Sequence, residues 1–395
     1  MTEDFFKYQA QTSLNPLALE ISHAKGSYIY DKNQKSYLDF VAGVSACTLG
    51  HNHPKVISAI KGQIDKYLHV MVYGEYIQEP AVELAKLLSK FLPKSLDKTY
   101  LTNSGTEAIE GALKLAKRAT GRSEMIAAKK AYHGNTMGSM SIMGYEKRKR
   151  AFRPLLPDVR FIEFNDEQDL QHISTKTACV ILETIQGGAG FIEPNKDYLE
   201  KVRKRCDQVG ALLILDEIQS GIGRTGKLFG FEHYNCVPDI LVMGKGLGGG
   251  MPIGAFTSSS SLMDLFMDNP RLGHITTFGG HPVIAASALA TLKEITKSDL
   301  MHQTLKKEKL FREHLKHPLI TEIRGRGLML AAFTPSAEIT NQVILKCQDE
   351  GLVLFWLLFE PKAIRITPSL TISNEEIIKG CGIIIDVLNT ITHYE

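Results

Sequence analysis

The sequence predicts an α/β protein, with a large domain whose mostly parallel sheet is covered by helices and a smaller α+β domain built from both chain ends. Three observations lead there. Short, nearly continuous apolar runs, ACVILE at Ala178–Glu183 and ALLILD at Ala211–Asp216, have the length and composition of strands buried on both faces. Helical stretches such as Tyr198–Gln208 separate them, which a parallel connection requires. The pattern gives way to short mixed elements before about residue 46 and after about residue 281.

In chain order, YIYD and SYLDF fall in residues 1–46, the N-terminal part of the smaller domain. Residues 47–280 form the large domain. Within it Lys98–Thr102 reads as a strand, Thr106–Ala119 as a helix, and Glu124–Ala128 and Ile240–Met243 as further strands. Residues 281–395 begin with a long Ala-rich connecting helix, His281–Ile295. The C-terminal part of the smaller domain follows: IRGRGLMLAAF, the strand-like Leu352–Leu358, AIRITPSL and a final helix from Asn374. Ser373 and Glu376 make a capping box for that helix.

A chain of 395 residues has room for two domains, and a net charge of +3 with both signs interspersed argues against a nucleic-acid partner. The run Lys147-Arg148-Lys149-Arg150, with Arg153 behind it, reads first as a solvated surface helix or loop, and second as a lip attracting acidic substrates or a phosphate. Six cysteines without C-x-x-C spacing suit neither a zinc site nor a disulfide framework, and fit a reducing compartment. No basic start with an apolar core opens MTEDFFKYQA, and no apolar stretch is long enough to span a bilayer. The expectation is a cytoplasmic protein with no metal and no membrane contact.

Several segments carry chemistry. Asn103-Ser104-Gly105-Thr106-Glu107 joins a strand to a helix, where free N–H groups suit an anion; a well-capped helix is the plainer reading. Asp216 ends a buried strand, where open α/β sheets place ligands, and needs a partner there: a protonated ring nitrogen, a metal or a salt bridge. Lys245 lies among glycines after DILVM, either as an accessible amine able to form a Schiff base or as an exposed side chain in a turn. Tyr132, before His133, Gly134 and Asn135, is placed to stack on a planar ring or to pack beside a turn. Thr277 stands in TTFGGHP, suited to a phosphate. Arg365 sits in apolar surroundings, where it pairs with a protein carboxylate or holds a substrate's. Gly221-x-Gly223-x-x-Gly226 matches the dinucleotide fingerprint by letters, but KLFGFEHYN after it does not read as a helix.

Taken in order, these segments resemble the class III (ω-amino acid) aminotransferases of the fold-type I pyridoxal-phosphate enzymes. The likeness runs from LDFVAGVSACTLGHNHP to AIRITPSLTIS, and LLILDEIQSGIGRTGKLFGFEHYNCVPDILVMGKGLGGGMPIGA is its most specific part. The resemblance implies that pyridoxal 5'-phosphate is the cofactor and that Lys245 carries it as a Schiff base and shuttles the proton. It implies that Asp216 keeps the pyridine nitrogen protonated and that Gln219 lies near the phenolic oxygen. Ile218 and Tyr132 would cover the two ring faces, with His133 beside them. Ser104, Gly105 and Thr106 would form the phosphate cradle, with Thr277 donated by the neighbouring subunit of a homodimer that shares its active sites. Arg365 would bind a substrate carboxylate. The implied reaction is ping-pong transfer of nitrogen from an ω-amino acid or amine donor to a 2-oxo acid, 2-oxoglutarate or pyruvate.

Two positions depart from acetylornithine, ornithine and 4-aminobutyrate members. Asn135 stands where many have a carboxylate-binding arginine, and Gly188 where they have a glutamate that masks the second arginine. Neither residue can play those parts, so Arg365 stays available in both half-reactions, and the pattern looks closer to members acting on amines, β-amino acids or bulky donors. Asn135 remains a candidate substrate contact, and a basic side chain from Lys147–Arg153 is a candidate replacement for the arginine. Trp356 in LVLFWLLF reads first as strand packing and second as pocket lining. A mutase or racemase on the same fold is the alternative reaction. A nicotinamide-dependent oxidoreductase would rest on GIGRTG alone and leave Lys245, Thr277 and Arg365 without roles.

Overall fold

The computed structural model describes residues 1–391. Its strands, in chain order, are β1 (Ile21–Lys25), β2 (Tyr28–Asp31), β3 (Ser36–Asp39), β4 (Lys98–Thr102), β5 (Glu124–Ala128), β6 (Val159–Ile162), β7 (Thr177–Glu183), β8 (Leu212–Asp216), β9 (Ile240–Gly244), β10 (Gly254–Ser258), β11 (Glu322–Arg326), β12 (Met329–Phe333), β13 (Leu352–Val353), β14 (Phe355–Trp356) and β15 (Ala363–Ile366). The central sheet runs β4-β10-β9-β8-β7-β5-β6. From β9 to β6 every neighbouring pair is parallel, and only β10, between β4 and β9, runs against its neighbours.

Alternate side chains of each central strand feed opposite cores. Val180, Leu182, Leu213 and Leu215 face a core closed by Leu84, Leu88, Val202 and Leu292. Cys179, Ile181 and Ile214 face one closed by Ile109, Leu113 and Phe256. Both faces are dry, which is why the runs are continuously apolar rather than alternating. The helices Pro54–Lys66, Glu79–Phe91 and Pro282–Lys297 pack together over the first face, each with proline in its first turn, where the missing N–H costs nothing.

Two smaller sheets, β1-β2-β3-β13 and β11-β12-β15-β14, share one further core. There Leu38 and Phe40 from the start of the chain meet Phe311, Leu330, Ile364 and Ile384 from its end. The final helix, Asn374–Asn389, opens with the reciprocal Ser373–Glu376 cap.

The chain departs from the sequence reading at two places and agrees with it at a third. Leu352–Leu358 is not one strand: β13 pairs in parallel with β3, and β14 pairs antiparallel with β15 in the other sheet. The basic run is not uniformly solvated, because Lys149 is buried with its ammonium 4.1 Å from the Phe161 ring centre. As expected, Gly221–Gly226 is a turn that opens no helix, with only the short 3-10 turn Gly230–His233 beyond it, and its Arg224 is buried, donating to the carbonyls of Leu328 (3.2 Å) and Pro368. That motif therefore docks chain segments and offers no nucleotide fingerprint.

Candidate active site

Strands β4, β7, β8 and β9 all end at one rim of the central sheet, where parallel strands leave a crevice. A cavity of about 450 Å³ opens there. Among the residues singled out from sequence, Gly105, Thr106, Tyr132 and His133 line it, together with Asn135. Asp216, Ile218, Gln219, Lys245 and Arg365 complete that set. Two candidates lie outside it. Ser104 caps the helix Gly105–Thr120 through its hydroxyl, which accepts from the Glu107 N–H (3.3 Å), and Thr277 is exposed on the surface.

Asp216 is nearly buried. Its Oδ1 accepts from the Ile218 N–H (2.9 Å) and its Oδ2 from His133 Nδ1 (2.7 Å). His133 is buried too, and its Nε2 has no protein partner among the described residues. Lys245 follows β9 in a left-handed backbone conformation, φ +41°, which costs a non-glycine residue about 1–3 kcal/mol and marks a functional constraint. Burial holds its ammonium below the usual lysine range; Arg365 pushes the same way, while Asp216 and Glu183 oppose. The lysine is thereby closer to the neutral amine a nucleophile needs.

Gly105 admits Ile218: a Cβ there would sit 2.6 Å from the Ile218 Cδ1. The N–H groups of Gly105 and Thr106 belong to the first turn of their helix, where no helical carbonyl can accept them. Tyr132 is anchored from two sides. Its peptide N–H donates to Glu183 Oε2 (3.2 Å), and its hydroxyl accepts from Asn135 Nδ2 (3.1 Å). Gln219 Nε2 donates to Ser45 Oγ (3.3 Å), tying the cavity to the strained segment Ala42–Ser45.

Arg365 projects from β15 and is 4 % exposed, with no carboxylate partner among the described residues. Its Nε and Nη1 are buried and unpaired, the Phe191 ring lies 5.6 Å from the guanidinium, and desolvation pulls it down to about 10. A buried cation in such surroundings favours an anionic partner.

These residues fit pyridoxal phosphate. A fixed carboxylate, unspent helix N–H groups, a desolvated lysine and an orphaned guanidinium converge on one cavity of small-molecule size.

Sequence reasoning missed part of the lining. Glu183 ends β7 directly beside Asp216 in the sheet register and accepts from the Gly187 N–H (2.9 Å); burial raises it to about 7. The strand-end argument that singled out Asp216 applies equally to Glu183. Val44, Phe355 and Leu358 also line the cavity, as does Trp356, which packs against the smaller core from β14 as well, so both readings of Trp356 hold. The Gly188 carbonyl accepts from the Phe359 N–H (2.9 Å), and a Cβ at 188 would meet the Phe359 ring at 2.9 Å.

The model of the family described as aminotransferase class-III matches residues 8–388. The acetylornithine aminotransferase of Caldanaerobacter subterraneus is 38% identical over 98% of this chain and 98% of its own length. The putrescine aminotransferase of Pectobacterium atrosepticum is also 38% identical, over 88% of this chain and 77% of its own. The crystal structure of an ornithine aminotransferase from Toxoplasma gondii superposes with a TM-score of 0.90 at 30% identity, covering 98% of this chain and 95% of that one. The chain belongs to the class III aminotransferases, enzymes of the pyridoxal-phosphate-dependent kind.

Proposed function

We propose that this enzyme transfers a terminal or otherwise non-α amino group to a 2-oxo acid, 2-oxoglutarate or pyruvate, by a ping-pong mechanism. The observation that carries the reading is the convergence of Lys245, Asp216 and unpaired Arg365 on one cavity. The relatives named for acetylornithine and putrescine support it, because both compounds carry a primary amine at the end of an aliphatic chain.

Pyridoxal phosphate supplies the electron withdrawal that lets the substrate C–H bond ionise. Asp216, oriented by His133 and the Ile218 N–H, would hold a proton on the ring nitrogen. Ile218 and Tyr132 would confine the ring, with Gln219 near its phenolic oxygen. Gly105 and Thr106 would donate their N–H groups to the phosphate, with Ser104 fixing the helix that presents them. Lys245 Nζ would carry the cofactor, then take and return the substrate proton; its lowered affinity for a proton suits that exchange. Arg365 would hold the carboxylate of the 2-oxo acid.

The division into residues 1–46, 47–280 and 281–395 is part of the proposal, supported by the core that Leu38 and Phe40 share with the end of the chain. So is a homodimer in which Thr277 reaches the neighbouring subunit's phosphate. Exposed Ile77 (94 %), Tyr76 and Phe278 provide an apolar surface for it near a groove containing Thr276 and Gly280. A cytoplasmic location is supported by the six free cysteines.

The test is a half-reaction screen. Purified protein saturated with the cofactor is mixed with single donors while its visible absorbance is followed, and Lys245→Ala is carried alongside. Donors with a terminal amine should bleach the wild-type band and a 2-oxo acid should restore it. Full turnover by Lys245→Ala would refute the assignment of the lysine, and absence of any cofactor band in the wild type would refute the reading.

A further inference from the structure

We infer that Arg148 is a specificity-determining residue: it binds the carboxylate of the substrate that lies farthest from the transferred nitrogen, so the enzyme takes a dicarboxylic 2-oxo acid in preference to a monocarboxylic one. The inference rests on the proposed transamination and adds a second anion-binding point to it.

Arg365 supplies one cation deep in the cavity. Asn135 cannot supply another, since its amide is neutral and committed to the Tyr132 hydroxyl. Val44, Phe355, Trp356 and Leu358, which line the cavity with Arg365, are apolar, Phe355 being the cross-strand neighbour of Arg365. A substrate with a second carboxylate therefore needs a cation at the mouth.

The basic run provides candidates, and four of its five members are committed elsewhere or exposed away from any described contact with the lining. Arg153 makes a two-pronged pair with Glu146, both contacts 2.9 Å. Lys149 is buried against Phe161 and donates to the Ser141 carbonyl (3.3 Å). Lys147 and Arg150 are exposed and make no contact with the cavity wall among the described residues. Arg148 differs. Its Nη2 donates to the carbonyl of Leu358 (3.2 Å), a lining residue, and its guanidinium carbon lies 5.8 Å from the Phe359 ring centre. It forms no ion pair with any described carboxylate, and its charge reaches the phenol of Tyr132 in the cavity.

The same geometry explains Gly188. Phe359 fills the space a side chain at 188 would take, and stacks on Tyr145 at 4.6 Å between centroids. Tyr145 immediately precedes the helical turn Glu146–Lys149 that bears Arg148. Glycine at 188 thus admits the ring that steadies this turn against the rim. One guanidinium N–H is spent on Leu358, a residue of the cavity lining, and the other donors of this exposed side chain remain for bidentate recognition of a carboxylate.

Two readouts test this, on wild type, Arg148→Ala and Arg148→Lys saturated with cofactor. The first is KM for 2-oxoglutarate against KM for pyruvate; the second is calorimetric binding of glutarate, a dicarboxylate that cannot react. Arg148→Ala should raise the ratio of the 2-oxoglutarate to the pyruvate KM roughly 10- to 100-fold and weaken glutarate by the same factor, the loss expected for one charge-assisted contact. Arg148→Lys should recover part of both. An unchanged KM ratio, or glutarate that fails to bind wild type or binds all three proteins alike, overturns the inference. Failure of the underlying transamination would show differently, as absence of turnover with every acceptor.

Discussion

Replacing Arg365 with methionine should make the protein more stable and at the same time disable its use of 2-oxo acids. The guanidinium is 4 % exposed, and two of its nitrogens are buried without partners. Desolvation pulls it down to about 10 from the ordinary arginine range, which amounts to roughly 3 kcal/mol against the charged form. The Phe191 ring at 5.6 Å returns about 0.5–2 kcal/mol, leaving a net cost of about 1–3 kcal/mol. Because the folded value is lowered, that cost is present in full at any pH below about 10 and fades only as pH rises from there into the ordinary arginine range. Methionine keeps the length of the side chain, and its sulfur packs well against an aromatic ring. For a chain of this length each kcal/mol shifts the thermal midpoint by ~1–2 °C. The assay is thermal unfolding of cofactor-free protein at pH 8, paired with KM for the 2-oxo acid on the loaded enzyme. The midpoint should rise by a few degrees and KM by roughly 10- to 100-fold. A midpoint that stays put or falls would mean the guanidinium is already satisfied, and the case for a waiting anion site would collapse.

Two further outcomes follow from buried carboxylates. Glu217 is fully buried and accepts from Thr184 Oγ1 (2.8 Å) and the N–H groups of Gly230 (2.6 Å) and Phe231 (2.5 Å). Glu217→Gln would point an amide donor at one of these donors and should cost about 1–3 kcal/mol in urea unfolding; wild-type stability in the variant would refute that geometry. Glu183, raised to about 7 by burial, keeps its proton in the folded protein after the unfolded chain has lost it. Its stabilising contribution is complete below about 4.5 and disappears as pH climbs to about 7, a loss of up to roughly 3 kcal/mol. Glu183→Gln should flatten the fall in stability over that window, measured as unfolding midpoint against pH, and an identical slope would count against it.

What could be read from the sequence tracks how local each signal is. Glu124–Ala128 and the ends of β7, β8 and β9 were visible because strands buried on both faces leave unbroken apolar runs, and such strands carry their catalytic groups at one end. Asp216 and Lys245 were found by that rule. β10 was not, since GAFTS is short, small and partly polar, and it becomes a strand only because β4 and β9 offer it two edges. The break within Leu352–Leu358 was equally hidden: the composition favours one strand, and only tertiary pairing divides it between two sheets. Arg148 and Phe359 could not be matched in advance, because their meeting depends on how residues more than two hundred positions apart come together at the rim. Thr277 lies outside the cavity, so the hydroxyls and glycines of TTFGGHP mark it as suited to a phosphate while its proposed duty depends on a second chain.

The β3–β13 ladder has a consequence for altering donor range. Leu352 and Val353 pair with Leu38 and Asp39, and the Phe40 N–H reaches the Val353 carbonyl (3.1 Å). From one side of this ladder the chain runs on to Val44, and from the other to Trp356, so two walls of the cavity hang from a single bracket. Their separation is then a fixed gauge rather than an adjustable jaw. Enlarging the space for a bulkier donor calls for trimming the Val44 or Trp356 side chain itself, and loosening the segments that carry them would sacrifice the bracket without widening the gap.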